Sequence, residues 1–513
     1  MGSSRTKNTT RNILGGTLNK LVTILFPFII RTLVIKKLGI DYLGLNSLVT
    51  SILQVLNMTE LGFSTAIVYS LYKPIAEKDS EKICALMALY KKAYRLIGLI
   101  VLTVGTILIP FVPFLIKGSV PSDVNIQIVY IIYLINTSVS YLLFAYKSSL
   151  LIAHQRQDIT SNISTILLLV QYFGQIMVLF VFKNYYLYII MIPFSTIINN
   201  FVIAYTVNKR YPHYISRGEL DSISLRDIKK RISGLMIFRI SNATRNSFDS
   251  IFISSYIGLT SVAIYNNYYY IISAIGGLLN VITVSMNASI GNSIVVESIE
   301  KNYKDFKVLN FIYMLISGWC TVMLISLYQP FMKIWVGGDY LLPTHVMILI
   351  SVYFYALRMG DIRGIYNDAA GLWWEQRYRT ITEAVTNIIL NWILVINFGV
   401  FGVVLATLIT ILVFGFSLSG IITFKHYFGL DKVKEFFKYH FIYASVTFIV
   451  AIIVYRICSI FNLENKIIDF VTKGIIGTVI TIVSYLIIYY KTIIFKESSD
   501  FIKTKIKVIQ KKK

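Results

Sequence analysis

The chain has 513 residues, 56% of them hydrophobic and 14% charged, and a net charge of +24. A soluble protein is about 45 to 50% apolar, so a water-soluble globular fold is excluded and lipid is the expected solvent. The positive charge does not point to nucleic acid, because the basic residues gather in every second connection, as membrane topology and anionic headgroups require.

Fourteen apolar stretches approach the roughly 20 residues that cross a bilayer. They lie near 13–35, 42–70, 94–116, 124–149, 160–182, 185–207, 231–257, 263–292, 308–332, 344–370, 379–397, 399–424, 436–460 and 467–491. The expected fold is an all-α polytopic membrane protein. Lysine and arginine are retained on the cytoplasmic side of short loops. Of the 49 basic residues, 35 fall in the segments that put both termini inside, and only 7 in the opposite connections. The expected location is therefore the inner membrane of a bacterium, with cytoplasmic ends. Span one follows Arg5, Lys7 and Arg11, but it is too long for a cleaved signal and is expected to be retained.

Ionised residues inside a span cost about 2.5 to 3.5 kcal/mol each and so call for a reason. Span one carries Arg31 near its outer end, and span two carries Glu60 in its middle. Between these spans Lys37–Asn46 (KLGIDYLGLN) is echoed by Tyr256–Tyr265 (YIGLTSVAIY), 219 residues on. Gln155-Arg156 is echoed by Gln376-Arg377, 221 residues on. The agreement predicts a parallel repeat: an N-terminal six-helix bundle over 1–207, a cytoplasmic linker over 208–230, a second six-helix bundle over 231–424, and two extra helices with a basic tail over 425–513. The two bundles would be related by a pseudo-two-fold axis along the membrane normal. The linker is rich in charge, and an amphipathic surface stretch is expected there.

Span seven places Arg239, Asn242, Arg245, Asn246 and Asp249 within an arc of about 120° at 100° per residue. About 21 Å of helix rise separates Arg231 from Arg245, putting Arg245 near mid-membrane. Span ten adds Arg358, Asp361 and Asp368 on one side, with Arg363 pointing elsewhere. These positions are expected to line a water-filled cavity between the halves. Glu60, Asp249, Asp361 and Asp368 are candidates for ion coupling or for ion pairs at helical spacing, and Asn242 and Asn246 for a polar cavity lining. Transporters built from repeats hold substrate between the halves and rock one against the other.

Nothing in the sequence suggests catalysis. There is no G-x-x-x-x-G-K-[ST] loop for nucleotide phosphates, the five histidines lack zinc-ligand spacing, and Cys84, Cys320 and Cys458 form no disulfide pattern. No cofactor or metal is expected. No outer loop is long enough to hold an extra catalytic domain.

Three stretches are specific: KLGIDYLGLNSL (Lys37 to Leu48), ELGFSTAIVYSLYKPIAEKD (Glu60 to Asp79) and GLWWEQRYRTITEAVTNIILN (Gly371 to Asn391). They resemble the Wzx-like polysaccharide repeat-unit flippases, the polysaccharide transporter family of the multidrug/oligosaccharidyl-lipid/polysaccharide superfamily, over essentially the whole chain. The resemblance implies a cargo of oligosaccharide on undecaprenyl diphosphate, moved from the inner to the outer leaflet for capsule or exopolysaccharide synthesis. It also implies cationic cavity residues facing the diphosphate, filled here by Arg31, Arg239, Arg245, Arg358 and Arg363. Membrane lipids and other polysaccharide assembly proteins are the further partners it implies. The alternative within the superfamily is an ion-coupled multidrug or cation antiporter.

Overall fold

The computed structural model describes residues 2–57, 63–222, 225–226, 228, 247–461 and 463–510. The protein is all-helical, with no strand among the described residues. Among the described residues ten helical stretches are long and apolar enough to cross a membrane, or eleven if one bent pair counts as a span. This is a multi-pass membrane protein, and helices prevail because a backbone in hydrocarbon must satisfy its own hydrogen bonds.

Three of the fourteen expected spans stand outside that count for local reasons. Span two consists of the 17-residue helix Ile40–Leu56 and the helix Phe63–Glu77. Most of span seven lies outside the described residues. Spans eleven and twelve share one helical run, Arg377–Phe428.

The described chain divides into two compact units, 1–263 and 264–513. The first holds α1 (Gly2–Lys37), α2 (Ile40–Leu56), α3 (Phe63–Glu77), α4 (Ser80–Leu108), α5 (Ile126–Leu142), α6 (Ser148–Ala153), α7 (Gln157–Val181), α8 (Tyr185–Arg210) and α9 (247–256). Helix α1 packs on α7, α7 on α8, and α5 on α4 and α8. Side-chain caps fix where these helices begin. Asp79 accepts from the Lys82 amide at 2.9 Å, and Asn184 accepts from the Leu187 amide at 3.0 Å, each serving an orphan N–H of a first turn. Beyond Arg210 the chain is not helical through Asp221, so the expected amphipathic surface stretch does not occupy 211–221. This part of the connection is held by ring contacts of His154 with Tyr211 at 4.4 Å and Tyr214 at 5.9 Å.

The second unit takes in α10 (Leu259–Val296), which begins just before the division, and then α11 (Ile299–Trp335), α12 (Thr344–Arg358), α13 (Asp361–Ala369), α14 (Arg377–Thr410), α15 (Ser419–Thr423), α16 (Val433–Ile460), α17 (Lys466–Tyr489) and α18 (Ile493–Gln510). Helix α11 is the hub, 67% buried over its most apolar window and packed by α12, α13, α16, α17 and α18. The last two spans thus lean on the same helix as the rest of the unit. Two π-helical segments, Ile411–Leu418 and Phe424–Phe428, flank α15.

Helix α14 is not one rod. At Gly399 the backbone leaves the helix, with φ 58° and ψ −135°. A Cβ on Gly402 would lie 2.1 Å from the Leu394 carbonyl oxygen, although eight residues of straight helix rise about 12 Å. Asn387 donates to Thr407 at 3.2 Å across 20 positions. The run therefore folds back at Gly399 into two antiparallel arms, matching the sequence break between 397 and 399.

Gly402→Ala should destabilise the protein by about 1–3 kcal/mol, since the new methyl meets backbone that cannot move aside. Gly364→Ala, in α13 with open space around it, should be neutral or slightly stabilising through helix propensity. Thermal unfolding of the two variants in the same detergent checks the contrast.

Candidate functional site

In the first unit the repeated motif has a structural counterpart. Gly39 and Gly258, 219 residues apart, both adopt positive φ, 126° and 131°, and each precedes a helix. Only glycine takes such angles without strain. Asp41 and Thr260, matched at the same offset, meet directly: the Thr260 hydroxyl donates to Asp41 Oδ1 at 2.5 Å. Gly44 completes the contact, because a Cβ there would lie 2.1 Å from the Leu259 carbonyl oxygen. The second echo marks two helix starts, Arg156 preceding α7 and Gln376 preceding α14.

Beside this contact lies a tyrosine cluster. Tyr133 and Tyr185 both donate to Asn46 Oδ1, at 2.7 and 2.6 Å, and Tyr42 donates to Asp123 at 2.5 Å. Arg31 on α1 interacts electrostatically with Tyr188 on α8. Asp249 on α9 is buried, 3% exposed, among Ser247, Ser250 and Ser254 of the same helix. Glu60, Arg239, Asn242, Arg245 and Asn246 lie outside the described residues.

In the second unit the charges of span ten gather where that span breaks. Helix α12 ends at Arg358 and α13 begins at Asp361, with Met359 and Gly360 between them. The Arg358 guanidinium pairs with Asp361 at 2.9 Å, and the Tyr313 hydroxyl of α11 donates to the same carboxylate and hydrogen-bonds with Arg358. The guanidinium lies over the Phe354 ring, 5.6 Å from its centroid. Gly276 of α10 faces the guanidinium, where a Cβ would stand 3.6 Å from Nη1, an ordinary contact distance. Arg358 Nε is buried and has no acceptor among the described residues. This is a guanidinium held by one acid and one phenol, with a donor to spare.

Arg363 is differently placed. It is 4% exposed, and its Nη1 and Nη2 each donate at 2.7 Å to backbone carbonyls, those of Phe416 and Gly415. Both acceptors sit in the π-helical segment, where the altered register frees carbonyls from the i→i−4 ladder. Arg363 thus braces this segment with two charge-assisted bonds, one of them to the Phe416 carbonyl that also accepts from the Ser419 N–H. Asp368 accepts from the Trp373 indole at 2.8 Å.

The sequence reading passed over a further polar group. Arg379 and Glu383 form an ion pair at 2.5 Å with side chains only 9% and 7% exposed, and Asn387 and Asn391 continue the line with a hydrogen bond to each other at 3.3 Å. Asn387 also reaches Thr410 at 3.3 Å. The signal was available: positions 379, 383, 387 and 391 step by four, which stacks them on one helix face.

The polysaccharide biosynthesis protein family matches residues 9–286, just over half of the chain. No curated protein sequence matches the chain. Among solved structures, the lipid II flippase MurJ in an inward closed conformation is similar, with TM-score 0.67 and 17% identity over 94% of this chain and 99% of that one. An inward-facing multidrug resistance MATE family transporter of the MOP superfamily gives TM-score 0.61 and 12% identity over 83% and 99%. A variant of the Vibrio cholerae MATE transporter VcmN gives 0.56 and 14% over 83% and 98%. At these identities the likeness is one of fold, a fold of membrane transporters and flippases rather than enzymes.

Asp361→Ala should cost about 3 kcal/mol, because it leaves the Arg358 charge without its partner in a mostly buried place. The double change Arg358→Met with Asp361→Leu should recover most of that loss. Thermal unfolding reads both.

Proposed function

Because the chain belongs to the polysaccharide biosynthesis protein family, we propose that it is a flippase that carries oligosaccharide repeat units on undecaprenyl diphosphate from the inner to the outer leaflet, for capsule or exopolysaccharide synthesis. The observation that carries the reading is Arg358, a guanidinium held at a helix break with a buried Nε that has no acceptor among the described residues. A diphosphate is the anion that suits a planar fork of donors. Arg31 is proposed as a second contact, with Arg239 and Arg245 completing the set from span seven. Arg363 has both terminal nitrogens on backbone carbonyls and is assigned to holding the fold. Both termini are placed in the cytoplasm of a bacterial cell by the distribution of lysine and arginine. The two six-helix bundles are proposed to rock one against the other about the pseudo-two-fold axis.

The MATE-like fold keeps a second reading in view, ion-coupled export of drugs or cations, with Asp249 or Asp361 as the coupling acid. Dye efflux driven by a proton or sodium gradient, with no effect on sugar-lipid transport, would favour it.

In vesicles loaded with a labelled lipid-linked oligosaccharide, Arg358→Gln should slow translocation by roughly tenfold or more, the loss of a charge-assisted contact. An unchanged rate removes Arg358 from the mechanism. Replacing Asp41 and Thr260 together by cysteine should give a variant that stops translocating when oxidised and resumes on reduction. Transport that continues through the oxidised form would show that this contact does not open during the cycle.

A further inference from the structure

The corner between α13 and α14 carries aromatic surface that the transport reading does not use. Trp374 is 59% exposed and Tyr378 69% exposed, and the guanidinium of Arg377 lies between them, 4.0 Å from the Trp374 ring centroid and 4.3 Å from that of Tyr378. One of its N–H groups donates to the Trp374 carbonyl at 2.5 Å. No carboxylate pairs with it among the described residues, although Glu375 is adjacent in sequence. Arginine has five N–H donors, so most of them remain open to the outside while the plane of the group is fixed by the two rings.

Below this cluster α14 presents Ile381, Val385 and Ile389, 48%, 51% and 48% exposed, at helical spacing. From Tyr378 to Ile389 the helix rises about 16 Å, roughly half of a 30 Å hydrocarbon core. An exposed tryptophan and tyrosine above an apolar stripe of one leaflet's depth mark the headgroup level. At that level the available ligand is a lipid. Its charge follows from the geometry: the aromatic faces that would attract a choline-type cation are already covered by the guanidinium, and an anion is what the free donors accept.

We propose that Trp374, Arg377 and Tyr378 form a docking site for the phosphate of an anionic phospholipid of the surrounding leaflet, its acyl chain lying along Ile381, Val385 and Ile389. The site holds the start of α14 at the headgroup plane, next to the helix arm that carries the Arg379–Glu383 pair. It does not depend on which cargo the protein moves.

The test uses the full chain in phosphatidylcholine nanodiscs titrated with phosphatidylglycerol, with retained lipid counted by native mass spectrometry and stability followed by thermal unfolding. The parent should retain phosphatidylglycerol and gain stability from it. Arg377→Ala should weaken that binding by roughly tenfold or more, and Trp374→Ala should weaken it by freeing the guanidinium to wander. Arg377→Lys, which keeps the charge and loses the planar fork, should fall between. If Arg377→Ala does not fold, Arg377→Gln keeps part of the stem and an uncharged N–H donor and reads the same loss of charge. Equal binding by parent and Arg377→Gln overturns the proposal. So does a parent that ignores phosphatidylglycerol while a polyprenyl diphosphate protects the cluster, since the occupant would then be cargo.

Discussion

A backbone N–H or C=O in hydrocarbon has no water to turn to, and leaving one unpaired costs several kcal/mol. The long helices obey this constraint silently. Its effect becomes visible where they break. In the second unit the breaks fall at Met359–Gly360, at Gly399 and across the π-helical Ile411–Leu418, and buried polar side chains stand at each of them. Arg363 donates to the two carbonyls of the π-helical segment. Asn387 ties one arm of the hairpin to Thr407 and Thr410 of the other. Arg358, Asp361 and Tyr313 close on one another at the break between α12 and α13.

This separates two arginines that look alike in sequence. Arg358 and Arg363 lie five residues apart in the same apolar stretch, and each costs a similar amount to bury. Arg363 is pinned by two backbone carbonyls in a buried place, so drawing it toward a ligand would break two charge-assisted hydrogen bonds at once. Arg358 is held by a carboxylate and a phenol, both of which tolerate exchange. The polarity of a span says that a charge is present; the partner decides whether it can be lent to anything else.

Much of the fold was legible because hydrocarbon filters sequence so severely. The apolar windows located the helices, the gap between 397 and 399 located the hairpin turn, and the echo at an offset of 219 matched Gly39 with Gly258, which share positive φ. The site was less legible. Residues 358, 361 and 363 were found by charge alone, but the π-helical segment that claims Arg363 contains no residue that announces it: ILVFGFSL is apolar throughout. The Arg379–Glu383 pair was missed because it sits at the start of a helix, where charges are ordinarily taken as solvated, whereas here both side chains are nearly buried and Glu383 faces Gly415. A step of four along 379, 383, 387 and 391 carries the information, and only burial gives it meaning.

A carrier must release what it binds, and the Arg358 pair bears on how it does so under the proposed function. A lone buried arginine would hold a diphosphate as strongly as the low dielectric permits, and the complex would be a trap. With Asp361 and Tyr313 beside it, the arriving phosphate replaces a bond rather than creating one, so the net gain is the difference between two acceptors for the same donors. Release then returns the guanidinium to its carboxylate, and the protein never passes through a state with that charge bare. Moving an anion out of a negative interior adds about 2.3 kcal/mol per charge per 100 mV. This is enough to bias an exchange between near-equal partners, but too little to empty a site built of unpaired arginines. A near balance of acids and bases within the spans is therefore the arrangement expected of a carrier driven by so modest a force.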